Sequence, residues 1–316
     1  MIDGDALNEQ LRADWDVVRE WRQSGRHGPD PQDAMAPKYF GIYLASRPSP
    51  AATKALDHAL AMWGNQRGGS AKIVEAMEQV GHSEGVWPSV LSNAERAYGN
   101  DGRHEAYRGF LRCLLKRAAA GRCSSAIESN LGELSLQDGC WDDARDWFGR
   151  AVSHEDVPEA ERRDAAGYLY EATCLRPGQP APHFEADDLT GGRVSLAHFA
   201  GRILVLHFWG STCGPCEMVY PHLRAIAERF VGSVALVGVS EDPERGRAAV
   251  CAEREGLVWP IVCDGLGFGG PVFRLYNVTG IPKIYVIDAE CCIVDVMMGA
   301  NGAEARLVAA VHEAVG

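Results

Sequence analysis

A chain of 316 residues has the length of about two domains, and 46% apolar with 23% charged residues is the composition of an ordinary soluble globular protein. The 31 basic and 43 acidic residues leave a formal charge of -12, which argues against nucleic-acid binding, because that affinity rests on Lys and Arg neutralising phosphates. No run approaches the roughly eighteen consecutive apolar residues of a membrane span, and Met1-Ile2-Asp3-Gly4-Asp5 lacks the basic and then apolar start of a secretory signal. A cytoplasmic location is therefore expected unless an export signal has been removed.

Residues 1–176 read as helix after helix, with apolar positions three and four apart in Ile73-Val74-Met77-Val80, Tyr107-Phe110-Leu111-Leu114-Leu115 and Trp147-Phe148-Val152. Leu131-Gly132, Gly139, Trp141, Ala144, Phe148 and Ala151 occupy the small and large positions of a tetratricopeptide helix pair. Ala94, Ala97, Ala106, Phe110 and Cys113 sit at similar offsets, and a helix around Ala165–Ala172 would cap the stack. A generic helical bundle fits these residues as well. At Pro177-Gly178-Gln179-Pro180-Ala181-Pro182 the helical texture stops, which predicts an extended linker and a domain boundary, giving domains 1–176 and 177–316. Short β-branched and apolar runs follow at Ile203 to Trp209, Val234 to Val239, Lys283 to Ile287 and Ile293 to Met297. These, alternating at first with helical patterns, predict an α/β sheet.

The chemistry lies in Trp209-Gly210-Ser211-Thr212-Cys213-Gly214-Pro215-Cys216, where an apolar strand ends and a helix begins. Cysteines at i and i+3 on a first helical turn face one side, within disulfide reach. Cys213 stands where unpaired helix N–H groups favour a thiolate, so it is the expected nucleophile and the deeper Cys216 the resolving thiol. Pro215 fits the first turn, where its missing donor costs little. A zinc site would want a second ligand pair at comparable spacing, and the other eight of the ten cysteines show none. Those eight are expected to be mostly buried thiols, and so many unpaired cysteines are easier to keep in a reducing cytosol. Cys291 and Cys292 are read as packing thiols on opposite faces of a strand.

From about residue 178 onward the chain resembles the thioredoxin-fold TlpA/ResA-like family of thiol-disulfide oxidoreductases. The resemblance rests on Gly178-Gln179-Pro180-Ala181-Pro182, on Val205 to Cys216, on Pro221, and on Gly280-Ile281-Pro282. It implies a thioredoxin-like α/β domain, and the all-α part before it resembles the long helical extensions that some bacterial members of this family carry. It also implies a cis Ile281–Pro282 bond beside the dithiol, where the Ile281 backbone pairs with an extended substrate segment. Read alone, Pro282 is equally an edge proline of a strand. Trp209, Thr212, Gly214 and Pro215 complete the expected substrate surface. His207 stands where thioredoxins keep a buried acid, so it is either a base for the Cys216 proton or a core imidazole. Val219 replaces the glutamate of ResA-like members, and Thr212 replaces the usual tryptophan before the first cysteine.

Gly265-Leu266-Gly267-Phe268-Gly269-Gly270 matches a dinucleotide fingerprint in letters only, because Pro271 and a short helical stretch follow; a loop on the cis-proline side is expected instead. The proline and hydroxyl positions of the peroxiredoxin pattern are here Leu206 and Gly210, which argues against a peroxidase. The acid pairs Asp142-Asp143, Asp187-Asp188 and Glu241-Asp242 are read as caps and turns. The expected function is disulfide exchange through Cys213 and Cys216, reducing protein disulfides with no metal or organic cofactor. Expected partners are protein disulfide substrates and a redox donor, with the helical half available to bind a protein. The alternative is a helical-repeat adaptor whose thioredoxin-like domain binds a partner while its dithiol stays inert.

Overall fold

The computed structural model describes residues 4–46, 49–77, 79, 87–118, 121–300 and 302–315. Val80 lies outside them. Compact packing divides the chain into Met1–Leu134 with Asp146–Ala165, and Ser135–Arg145 with Ala166–Gly316.

The first unit is built from helices α1 (Gly4–Gln23), α2 (Gln32–Ser46), α3 (Pro50–Gly64), α4 (Gly69–Met77), α5 (Trp87–Asn100) and α6 (His104–Leu115), from α7 (Arg122–Gln137) up to Leu134, from α8 (Trp141–Val152) beginning at Asp146, and from the start of α9 (Glu159–Cys174). Helix α3 shows why such segments form. Ser49 caps it by accepting the Ala52 N–H at 3.1 Å, Pro50 opens the first turn, and Ala52, Leu56, Ala59, Leu60 and Trp63 bury one face at three and four residue spacing. The expected close approach of α7 and α8 is present. A Cβ on Gly132 would lie 2.7 Å from the buried Phe148 ring, so a side chain there would hold the helices apart. Ala94 and Ala97 of α5 are fully buried, whereas Cys113 of α6 is exposed.

In the second unit a hairpin of β1 (Glu185–Asp187) and β2 (Arg193–Ser195) precedes β3 (Ile203–Trp209), α10 (Gly214–Arg229), β4 (Val234–Ser240), α11 (Arg245–Glu255), β5 (Ile261–Val262), α12 (Pro271–Leu275), β6 (Lys283–Ile287), β7 (Ile293–Met298) and α13 (Ala303–Val315). The sheet order is β5-β4-β3-β6-β7, with β3, β4 and β5 parallel and β6 and β7 antiparallel to their neighbours. Strands β3 and β4 are buried throughout, which their unbroken apolar runs require. Side chains alternate between two cores. Ile203, Val205 and Trp209 pack with Cys216, Val219, Tyr220 and Leu223 of α10, while Leu204, Leu206 and Phe208 pack with Val272, Phe273 and Tyr276 around α12.

Several expectations need correction. The proline-rich segment is not a free linker: Gly178 N–H donates to Ile293 O, Ile293 N–H to Gln179 O and Ala181 N–H to Cys291 O, each at 2.8 Å. Its non-proline residues supply the donors its prolines lack, so it lies beside the start of β7. The helix over Ala165–Ala172 does not simply cap a stack, because α9 from Ala166 groups with the second unit. There Leu175 joins the core around α12, Trp141 packs against it, and Arg176 meets Asp142 at 2.7 Å. Cys291 lies in the turn ahead of β7 at a left-handed φ of 63°, and Cys292 forms an isolated antiparallel bridge with Pro180 just before that strand. Of the eight free cysteines only Cys251 and Cys263 are buried, while Cys113, Cys140 and Cys174 are exposed. The glycine-rich loop sits on the β4 side, where Gly265 and Gly267 abut the backbone carbonyls of Pro243 and Glu241.

Candidate active site

The loop that follows β3 is fixed from the neighbouring strand. Trp209 O accepts the Glu241 N–H at 2.9 Å, which continues the β3–β4 ladder past its last residue. Asp242, 2% exposed, accepts the Ser211 N–H at 3.0 Å and the hydroxyls of Ser211 and Ser240. A charged acceptor holding three donors fixes this turn more firmly than neutral pairs would. The Glu241 carboxyl lies over Gly210, where an added Cβ would come within 2.6 Å of Oε1, so a side chain at 210 would push that carboxyl aside. Burial, and then the neighbouring Asp242 charge, push the Glu241 carboxyl above the ordinary glutamate range.

From that turn the chain enters α10 with Cys213 as its N-cap. Cys213 and Cys216 form a disulfide with a Cα separation of 5.2 Å, and Cys213 Sγ accepts the Cys216 N–H at 3.2 Å. The same N–H aimed at Sγ stabilises a Cys213 thiolate once the bond is reduced. Cys216 is fully buried and Cys213 half-buried, so an incoming sulfur reaches Cys213 first. Thr212, Gly214 and Pro215 are exposed around it.

The Ile281–Pro282 bond is cis. Phe208 pairs with Lys283 across β3 and β6, so the next step of the register sets Pro282 level with Trp209, at the edge where the dithiol lies. Ile281 and Cys213 pack against the same apolar cluster.

Residues 177–296 match the AhpC/TSA family. They form a thioredoxin-like domain of that family. Over 135 residues the chain is 28% identical to the thioredoxin-like protein YneN of Bacillus subtilis, which covers 42% of this chain and 77% of that protein. Thiol-disulfide oxidoreductase ResA of Geobacillus kaustophilus is 29% identical over 133 residues, 42% of this chain and 75% of its own. Among solved structures, the thioredoxin domain of a thiol-disulfide oxidoreductase from Bacteroides vulgatus aligns with a TM-score of 0.40 at 26% identity, covering 43% of this chain and 99% of that one. With its C-x-x-C pair closed as a disulfide, the thioredoxin-like domain is a thiol-disulfide oxidoreductase.

Two expected site residues fall differently within this domain. Trp209 is fully buried, its ring set edge-on to Tyr220 at 5.9 Å, so it offers no side chain to a substrate and is core instead. His207 is 1% exposed, and neither ring nitrogen has a hydrogen-bond partner among the described residues. Burial pushes its pKa down to about 3, so the imidazole is neutral as expected but holds a proton poorly. Taking one from a thiol of ordinary pKa about 8.5 would be uphill by several kcal/mol, which opposes the expected base role. The turn reading of Asp242 holds, but its partners Ser211 and Ser240, which fix the loop ahead of the dithiol, were not singled out in the sequence; the polar ends of β3 and β4 were the available signal.

Proposed function

We propose that this thioredoxin-like domain reduces disulfides of protein substrates, using electrons from an external dithiol donor. The half-buried Cys213 sulfur at the start of α10, backed by the enclosed Cys216, carries this reading. In the reduced protein the Cys213 thiolate attacks one substrate sulfur, a mixed disulfide forms, and the other substrate sulfur leaves and takes a proton. Cys216, losing its proton to solvent, then displaces the bound sulfur; the substrate departs as a dithiol and the Cys213–Cys216 bond closes. Two electrons pass to the substrate, and its two sulfurs take up two protons from solvent, one of them balancing the proton that Cys216 releases; the donor then returns the pair to its reduced state. His207 is assigned no proton in either step.

Extended substrate chain docks along Ile281–Pro282, with Thr212, Gly214 and Pro215 forming the rim. The Gly214-Pro215 pair is that of thioredoxin, so the couple belongs on the reducing side, near roughly -270 mV rather than about -120 mV. Exposed thiols at Cys113, Cys140 and Cys174 support a reducing cytosol as the compartment.

The test is reduction of insulin disulfides with dithiothreitol as donor. The parent protein turns over, Cys213→Ser abolishes turnover, and Cys216→Ser accumulates a mixed disulfide on Cys213. Full activity in Cys213→Ser would move the chemistry to another cysteine. A dithiol that cycles with dithiothreitol but never touches a protein disulfide would favour the adaptor reading.

A further inference from the structure

Helix α9 lies ahead of the residues matched to the family, yet its side chains converge on one stretch of the thioredoxin-like domain, residues 275–283. Tyr170 Oη donates to Leu275 O at 3.4 Å, and Tyr168 Oη and Thr279 Oγ1 are 3.1 Å apart. Glu171 Oε2 accepts from Asn277 Nδ2 at 3.1 Å, and Glu171 Oε1 meets Lys283 Nζ at 2.6 Å. Lys283 Nζ also donates to Asn277 O at 3.3 Å. Gly167 abuts the same asparagine, since a Cβ there would lie 2.7 Å from Asn277 Oδ1. The Glu171 and Lys283 side chains are 4% and 1% exposed, and Asn277 holds a left-handed φ of 43°, a conformation asparagine tolerates better than most residues.

The stretch so held ends in the Ile281–Pro282 step. Lys283 begins β6 opposite Phe208, so its side chain lies on the sheet face away from Cys216 and never reaches the dithiol. A buried ion pair adds little net stability compared with apolar filling, but breaking it is costly; its effect here is to fix one geometry. We propose that Glu171, together with Tyr168 and Tyr170, positions the Ile281–Pro282 loop for docking of protein substrates. α9 is thus a working part of the oxidoreductase rather than of a separate extension. The inference rests on the reading that protein disulfides dock at that loop.

The full-length protein tests it. Glu171→Gln keeps shape and removes the charge. It should raise KM for insulin about fivefold or more while kcat, and the rate at which dithiothreitol reduces the Cys213–Cys216 bond, stay within about twofold. Hydrogen exchange at the Thr279, Gly280 and Ile281 amides should quicken about tenfold. A second variant, Tyr168→Phe with Tyr170→Phe, leaves the ion pair in place and should raise KM about twofold to threefold. Unchanged KM in either folded variant overturns the proposal, as does an equal loss in the insulin and dithiothreitol reactions. If Glu171→Gln does not fold, the tyrosine pair decides alone. A parent protein that cycles with dithiothreitol but leaves insulin intact defeats the proposed function, and the exchange measurement then still decides whether α9 holds the loop.

Discussion

His207 lies on β3 with its ring edge-on to that of Tyr220 of α10 at 6.0 Å, and its ring nitrogens meet no partner among the described residues. Desolvation lowers its folded pKa from the ordinary 6.5 to about 3. The unfolded chain therefore binds this proton first as pH falls. The stabilisation is complete above about 6.5 and is lost progressively between there and about 3. Lowering the pH from 7.5 to 5 should cost the parent about 2 kcal/mol more than His207→Leu, read from urea unfolding at the two pH values. Equal pH slopes in the two proteins would show that the imidazole is hydrated or paired. In stopped-flow exchange, His207→Leu should leave mixed-disulfide formation and resolution alike within about twofold. A selective slowing of resolution would restore the imidazole as a base. The residue type at 207 was legible in the sequence. Its basicity was not, because desolvation depends on α10 and β4 closing over the strand.

At the scale of elements, two glycines on the α7–α8 pair should respond in opposite directions. Gly132 faces Phe148 with no room for a methyl group, whereas a Cβ on Gly149 would meet nothing within 4 Å. Gly132→Ala should lower stability by about 1–3 kcal/mol through overpacking, offset in part by better helix propensity. Gly149→Ala should raise it by up to about 1 kcal/mol. Thermal melts of the two variants would check this, and a stabilised Gly132→Ala would mean the helices can separate without loss. The Gly132 and Phe148 offsets were readable in the sequence because each contact partner lies one helix away. The β1–β2 hairpin and β5 were not, since strands of three and two residues are too short to show a period.

For the whole molecule, the placement of α9 decides what can be cut. A fragment of residues 177–316 begins at the proline-rich segment but leaves Lys283 without Glu171, and the core around α12 without Leu175. A fragment starting at residue 159 keeps both. The longer fragment should be more stable by at least about 3 kcal/mol in urea unfolding, since an unpaired buried charge is among the most destabilising defects. Equal stabilities would show that Lys283 finds water or another partner once α9 is gone.

The sequence by itself determined the helical and α/β halves, the four long strands within a residue of their observed ends, and the dithiol at a strand-to-helix junction. Those features depend on spacing within a turn, a strand or a single helix, where chemistry and position are written together. Tertiary structure alone decided that Glu171 meets Lys283 across 112 residues, that Asp242 holds Ser211 across 31, and that the proline-rich segment pairs beside β7. It also decided that Trp209 is core rather than rim. Burial and long-range polar pairing belong to the neighbours a residue acquires on folding, and no local period carries them.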